Sequence, residues 1–358
     1  MQINKKKKVI IFGSKKNNCQ ELDLFNSLND RGLEAEIWNR RSLPRRLKKI
    51  KECDNSVLLI RNLFYSLIKN YDNYEVEDVV KKLRRAEEKL RILNSIDGLV
   101  ILRDKLKMCG VFRQLRIPYI KTYSLENKPS ELVKWVNDTA DDFSNGVIIK
   151  DRYGGLGKGV LKAKKQGSLY ICDISCVEGV ETKYINETLN TDDLKELFKK
   201  YMSGYELIGQ PYIKSTHEFN TINESESIRV LDIGGSSFVA MKRIAESPIN
   251  NLSLTKNKVV NGDVQTTRAN EQERKFSKRL SEHLNLFFIG YDFIRTNLAY
   301  YRDDPGAVYV PSNLRGEENV SLMLEVNGLV QFGGIQELYK DKFDLTEYVV
   351  SAIEEELE

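Results

Sequence analysis

Short hydrophobic runs closed by glycine or polar residues recur along the first hundred positions. Val9-Ile10-Ile11-Phe12 stops at Gly13, and 34–38 and 57–61 repeat the form. Between the first two runs, 22–28 carries apolar residues at helical spacing, stopped near Gly32. Alternating strands and helices predict a small parallel α/β domain. Residues 77–93 are strongly charged, with Val79, Val80, Leu83 and Leu90 at helical spacing, and read as one helix with a solvated face. The run 99–102 reads as a short strand or loop at the domain edge.

A helix opens at Arg103-Asp104-Lys105 and is broken at Ile117-Pro118. Residues 119–123 then run extended, and 132–136 predict another helix. A strand at 147–149 leads into a glycine-rich loop, and an apolar run resumes at Val160. Residues 207–213 form a short strand interrupted by Pro211, and 214–227 read as an exposed polar loop. Gly234-Gly235 joins strands 228–233 and 238–244 into a hairpin. A charged helix at 271–284, a strand at 287–294, a polar loop at 302–319, a strand at 321–326 and a closing helix at 345–357 complete the chain. The 302–319 loop reads as a tolerated surface insertion or as a substrate lid. The divisions expected are 1–103, 104–205 with the glycine loop, and 206–358.

The chain has 358 residues, enough for two or three domains of ~100–200 residues each. Lys and Arg number 56 against 52 Asp and Glu, a near balance that argues against a dedicated nucleic-acid binder. Cys19, Cys53, Cys109, Cys172 and Cys176 lack zinc-site spacing and read as reduced thiols of a cytoplasmic protein. No stretch reads as a signal peptide or membrane span.

The glycine loop carries the first chemical signal. Gly154, Gly155, Gly157 and Gly159 let backbone N–H groups approach an anion, while Lys150 and Lys158 add positive charge. Gly157-Lys158 is followed by Gly159 rather than Ser or Thr, so this is not a Walker loop. A phosphate cover and a plain hairpin turn both fit. The second signal is Asp292 with Glu325 and Asn327. Two apart in a strand, Glu325 and Asn327 share a face, and acids with an amide oxygen suit Mg²⁺. Alternatively, these are strand-end polar groups serving loop amides.

The order of the pieces resembles the ATP-grasp superfamily, in the branch of glutathione synthetases and the ligases that extend a ribosomal protein or a lysine-biosynthesis carrier protein. The matching pieces are RDK at 103–105, IP and KTY within 117–123, VIIKDRYGGLGKGV at 147–160 and QPYI at 210–213. They continue with SIRVLDIGG at 227–235, VAMKRIA at 239–245, GYDFIRT at 290–296 and LEVN at 324–327. The resemblance implies a small pre-ATP-grasp α/β domain and two α+β subdomains clasping ATP. It assigns Lys105 and Lys150 to the phosphates, and Gln210, Tyr212 and Ile213 to an adenine hinge read through backbone groups. Arg229, Arg243 and Asn251 fall to the phosphoryl and acyl site. Asp292, Glu325 and Asn327 fall to two Mg²⁺ ions, with Mn²⁺ as an alternative. Ser227 stands where the family holds the ribose with an acid, and Glu226 or Glu224 would substitute. Pro211 replaces a hinge glutamate, and Gly328-Leu329-Val330 replaces Ser-Pro-Gly beside the acceptor.

The implied reaction joins a carboxylate to an amine through an acyl phosphate, with a metabolite, peptide or carrier protein as acceptor. A homo-oligomer is compatible with it; nucleic acid and membrane are not expected partners. A small-molecule kinase on a related fold and a non-catalytic nucleotide binder are the alternatives. Both histidines, His217 and His283, read as unpartnered surface residues.

Overall fold

The computed structural model describes residues 7–12, 19–38, 45–46, 56–61, 73–154, 159–178, 181–221, 224–235, 237–249, 262–301, 306–328 and 332–358. The first sheet contains β1 (Lys8–Phe12), β2 (Glu34–Trp38), β3 (Ser56–Ile60) and β4 (Arg91–Leu93), in the order β2-β1-β3-β4. All three pairings are parallel. Such a sheet is covered on both faces, which is why its inner strands, β1 and β3, are near-continuous apolar runs. Ile10, Phe12, Leu58 and Ile60 face one core together with Val79, Val80 and Leu83 of α2 (Asn73–Glu87). Val9, Ile11, Val57 and Leu59 face another, with Leu24 and Leu28 of α1 (Cys19–Asp30). The closing helix, here at Leu345–Leu357, returns to this second core through Leu345, Val349 and Ile353.

The second sheet runs β10-β9-β8-β7-β11-β6. Its strands are β6 (Tyr123–Leu125), β7 (Val147–Asp151), β8 (Val160–Gln166), β9 (Leu169–Glu178), β10 (Glu181–Leu189) and β11 (Leu207–Pro211). The expected strand, glycine loop and strand appear as the antiparallel pair β7 and β8. The third sheet runs β14-β13-β12-β15-β17-β5-β16. It comprises β5 (Tyr119–Ile120), β12 (Ser225–Ile233), β13 (Ser237–Ala245), β14 (Gly262–Thr267), β15 (Phe288–Asn297), β16 (Val308–Tyr309) and β17 (Asn319–Asn327). One residue of β17, Leu324, is left over where β15 pairs with it between Asp292 and Phe293. Such a bulge re-aims the side chains beside it.

Four expectations change. The single helix expected over 77–93 ends at Glu87, and β4 follows after a short turn. The 99–102 run lies within helix α3 (Ile96–Arg103), whose N-cap Ser95 Oγ accepts from Gly98 N at 3.0 Å. Four consecutive apolar residues carry no period, so only the cap distinguishes helix from strand. Residues 214–227 are not an exposed loop. They hold a five-residue helix, Thr216–Asn220, capped by Ser215, and the start of β12, with Ser215, Ser225 and Ser227 buried. Within 302–319, Val308 and Tyr309 pair with Ile120 and Tyr119, adding an edge strand to the third sheet.

Asn94 joins two of these sheets. At φ 64° it turns the chain out of β4, a conformation asparagine tolerates better than most residues. Its amide donates to Ile60 O at 3.1 Å and Phe288 O at 3.2 Å, and accepts from Phe287 N and Phe288 N at 2.8 and 3.0 Å. The ends of β3 and the start of β15 are therefore fixed to each other.

Asp232 on β12 is fully buried beneath the helix Glu271–Leu284, where Ser281 Oγ donates to its Oδ2. Burial pushes its carboxyl up to about 6 from the ordinary 3.8, and the Ser281 hydrogen bond only partly opposes this. The unfolded chain therefore gives up this proton first. The group's contribution to stability is complete below about pH 4 and is lost as pH rises through about 6, by about 3 kcal/mol in all. Asp232→Asn cannot ionise. Urea unfolding should show it gaining on the native chain between pH 4 and pH 7; an equal pH dependence of both proteins would mean that Asp232 is not the titrating group.

Candidate active site

The charged row across the third sheet follows from strand register. Arg229 of β12 pairs with Asp292 of β15, which pairs with Glu325 of β17. Directly opposite residues share a face, so three charges stand side by side. The bulge at Leu324 lets Glu325 and Asn327 stay on this face while Met323 turns into the core.

Asp292 is the hub. Arg229 donates Nε and Nη2 to its two oxygens at 2.8 and 2.7 Å. Arg243 Nη2 donates to Oδ1 at 2.9 Å, and Asn327 Nδ2 to Oδ2 at 2.9 Å. Those four bonds occupy the acceptor capacity of a carboxylate. Burial works against the Asp292 charge, but Arg229 and Arg243 outweigh it and hold the pKa below the usual range. Burial pushes Arg243 down to about 10, while Asp292 overrides the same burial at Arg229 and raises it.

Two lysines approach from the other side. Lys150, at the end of β7, is buried. That burial pushes it down to about 8; Glu325 pulls it back, and Lys105 pushes it further down. Lys105 opens helix α4 (Lys105–Gln114), and its Nζ lies 3.9 Å from Glu325 Oε1. The same ammonium donates to Gly154 O, the first glycine of the flap.

A latch missed from sequence holds the base of that flap. Arg152 donates Nε and Nη2 to the two oxygens of Asp104 at 2.8 and 2.6 Å. Asp104 also caps α4, accepting from Leu106 N and Lys107 N. The guanidinium of Arg103 stacks 5.1 Å from the Tyr153 ring centroid. Gly154 admits no side chain: a Cβ there would lie 2.8 Å from Asp151. Gly159, at φ 63°, closes the described part of the loop against Tyr205. Gly155, Gly157 and Asn251 lie outside the described residues.

The hinge is narrower than the sequence suggests. Gln210 is buried, and its side chain donates to Thr122 Oγ1 at 2.7 Å. Pro211 has no N–H, and Tyr212 N donates to Gly146 O at 2.9 Å. Backbone reading of a base therefore falls to Ile213 N–H and the hinge carbonyls. Ser227 shares the face of Arg229 and accepts from Arg243 Nε at 3.1 Å. Strand alternation turns Glu226 to the opposite side, where Glu224 joins it at His217, so neither replaces an acid at Ser227. His217 is partnered, contrary to expectation: its Nε2 lies 3.0 Å from Glu224 and its Nδ1 3.9 Å from Glu226. His283 is exposed as expected. A separate cavity of about 670 Å³, lined by Glu226, Lys275, Arg295 and Glu317, lies on the reverse of the sheet, away from this cleft.

The donor set bears on metal. Among the described residues no group of three or more His, Cys, Asp or Glu side chains is placed to hold an ion. The Glu325 carboxylate and the Asn327 amide oxygen are nonetheless oxygen donors beside two lysines. Mg²⁺ takes one or two protein oxygens and completes its shell with phosphate and water, and the residues fit that use. Asp292 would have to exchange arginine partners to join them.

Residues 102–303 match the RimK-like ATP-grasp domain. The chain belongs to the RimK-like ATP-grasp family. It is an ATP-dependent ligase that joins a carboxylate to an amine, and ligases of this fold use ATP and Mg²⁺. Solved structures agree on the ligase's fold. The ATP-grasp ligase PsnB, complexed with a phosphomimetic variant of its minimal precursor, Mg and ADP, is similar with a TM-score of 0.59 at 12% identity over 98% of each chain. Macrocyclase MdnC bound with precursor peptide MdnA, from Microcystis aeruginosa MRC, gives 0.57 at 15% over 96% of this chain and 98% of that one. D-cycloserine synthetase DcsG gives 0.57 at 11% over 98% and 100%. No curated protein sequence matches the ligase.

Replacing Asp292 with Asn should destabilise the nucleotide-free ligase by ~3–5 kcal/mol, because buried Arg243 and part-buried Arg229 lose their counter-charge. Urea unfolding without metal or nucleotide measures this. Unchanged stability would reduce Asp292 to a metal ligand alone.

Proposed function

We propose that the ligase binds ATP between the β7–β8 flap and the third sheet and activates a carboxylate there as an acyl phosphate. The observation that carries this is the Arg229–Asp292–Glu325 row facing Lys105 and Lys150. Cations flanking an ordered carboxylate pair suit phosphoryl transfer, which is chiefly positioning and charge neutralisation. Lys105 and Lys150 hold the phosphates from opposite sides, and Lys105 exchanges Gly154 O for a phosphate oxygen as it does so. Gly154 and its neighbours in the flap cover the phosphates. Gln210, Tyr212 and Ile213 border the base.

Glu325, Asn327 and Asp292 hold Mg²⁺, with a second ion and Mn²⁺ as variants of the same site; the metal neutralises phosphate charge. Arg229 and Arg243 face the transferred group. A carboxylate oxygen attacks the γ-phosphorus, the bond to ADP breaks, and an acyl phosphate forms. The amine then attacks the acyl carbon, loses a proton and expels phosphate. Activation is required because a free carboxylate is a poor electrophile. This route needs no covalent enzyme nucleophile.

We infer further that one substrate is a peptide. The precursor-peptide complexes of PsnB and MdnC support this reading. We infer that the ligase works in the cytoplasm, where ATP is abundant and thiols such as Cys109 and Cys172 stay reduced.

The test supplies ATP, Mg²⁺ and pooled acidic peptides or amino acids, with hydroxylamine as the trapping amine, and reads products by mass spectrometry. A hydroxamate that requires all three components is expected. It should fall in Arg229→Ala by ~2–4 kcal/mol of lost transition-state stabilisation. Glu325→Gln should remove it while the protein stays folded. Recovery of intact carboxylate alongside a phosphorylated hydroxyl compound would replace the ligase reading with a kinase.

A further inference from the structure

Beside the hinge stands a charged cluster that this chemistry leaves unused. Lys162 of β8 lies opposite Ile148 across β7, two residues beyond Val160, which itself faces Lys150. Lys162 and Lys150 therefore point to the same cleft face. The Lys162 ammonium sits 3.7 Å from the centroid of the Tyr212 ring. It has no hydrogen bond or ion pair among the described residues. Its strand neighbour Asp173 is already engaged by Tyr184 and Asn186, at 2.5 and 2.6 Å. Burial pushes Lys162 down to about 8, against the pull of Asp173 and Glu218.

At the other end of the Tyr212 side chain, the hydroxyl donates to Glu218 Oε1 at 2.8 Å. Glu218 belongs to the short helix that follows the hinge, and its N–H is fixed by Ser215 Oγ at 3.1 Å. Burial raises its pKa despite that hydroxyl and the nearby Lys162. Tyr212 thus carries a donor over its ring and an acceptor at its tip. An ammonium withdrawn from water without an acceptor is costly, and a ligand that brings an acceptor removes that cost.

The hinge backbone sharpens the point. With no N–H at Pro211 and the Tyr212 N–H committed to Gly146, little of the backbone remains to read a base. The Hoogsteen edge of adenine offers an acceptor, N7, beside a donor, the 6-amino group; a 6-oxo purine offers two acceptors. Resting on the ATP reading above, we propose that Lys162 and Glu218 read this edge. Lys162 donates to N7, Glu218 accepts from the 6-amino group, and together they select ATP over 6-oxo purine nucleotides.

Equilibrium binding of ATP, 7-deaza-ATP and ITP, each with Mg²⁺, tests the assignment. The native protein should bind 7-deaza-ATP and ITP each about tenfold more weakly than ATP, the loss of one charge-assisted hydrogen bond. Lys162→Met should bring ATP and 7-deaza-ATP level, and Lys162→Arg should restore the difference. Glu218→Gln presents either an amide oxygen or an amide N–H, so it should bring ATP and ITP level. Discrimination that persists in both variants while ATP still binds, or its absence from the native protein, overturns the proposal. No binding of ATP by the native protein would instead remove the ATP reading on which it rests.

Discussion

The candidate site depends on one buried carboxylate. Asp292 draws Arg229 from one neighbouring strand, Arg243 from the strand beyond it and Asn327 from the other side. Two guanidinium groups this close repel each other and would be costly to desolvate alone. Asp292 offsets that repulsion and sets their spacing. The cost of moving is transferred to the moment of reaction: Asp292 would join a metal only as an arginine releases it, and an arginine that turns to a phosphoryl group would free Asp292. In the proposed mechanism the bonds that hold these side chains together pass to substrate as it binds.

The scaffold serves that exchange by fixing the two walls of the cleft differently. The third sheet is tied firmly to the first through Asn94 and through the closing helix, which returns to cover β1 and β3. The second sheet packs on the third through an apolar cluster that includes Ile149, Leu161, Val320 and Leu322, and polar devices border the cleft: the Asp104–Arg152 latch, the Lys105 bond to the flap and the Gln210 bond to Thr122. Polar contacts of this kind exchange more readily than a packed apolar core. The base of the flap, held by such contacts, is accordingly the part of that wall able to adjust.

Much of this was legible from sequence where the chain is punctuated. The glycine loop between apolar runs gave the hairpin, and the last helix fell where its period ended. Helix α3 was misread because Leu99 to Leu102 has no period, and β4 because no glycine or proline separates its three residues from the charged helix before it. Two signals were present but unused. Ser215 and Glu218 are spaced as a helix cap, and Ser227 with Arg229 already implied that Glu226 faces away. The Asp104–Arg152 latch and the Lys162–Tyr212 contact join positions about fifty residues apart on different elements, and no local pattern announces them.

The account turns on a carboxylate oxygen attacking the γ-phosphorus before any amine bond forms. The direct measurement uses a substrate whose carboxylate carries ¹⁸O, with ATP, Mg²⁺ and an amine acceptor, and follows the isotope in released phosphate by mass spectrometry. One labelled oxygen should pass to phosphate for each amide made. Amide made with unlabelled phosphate, or a product phosphorylated at a hydroxyl while the carboxylate keeps both labelled oxygens, would contradict it.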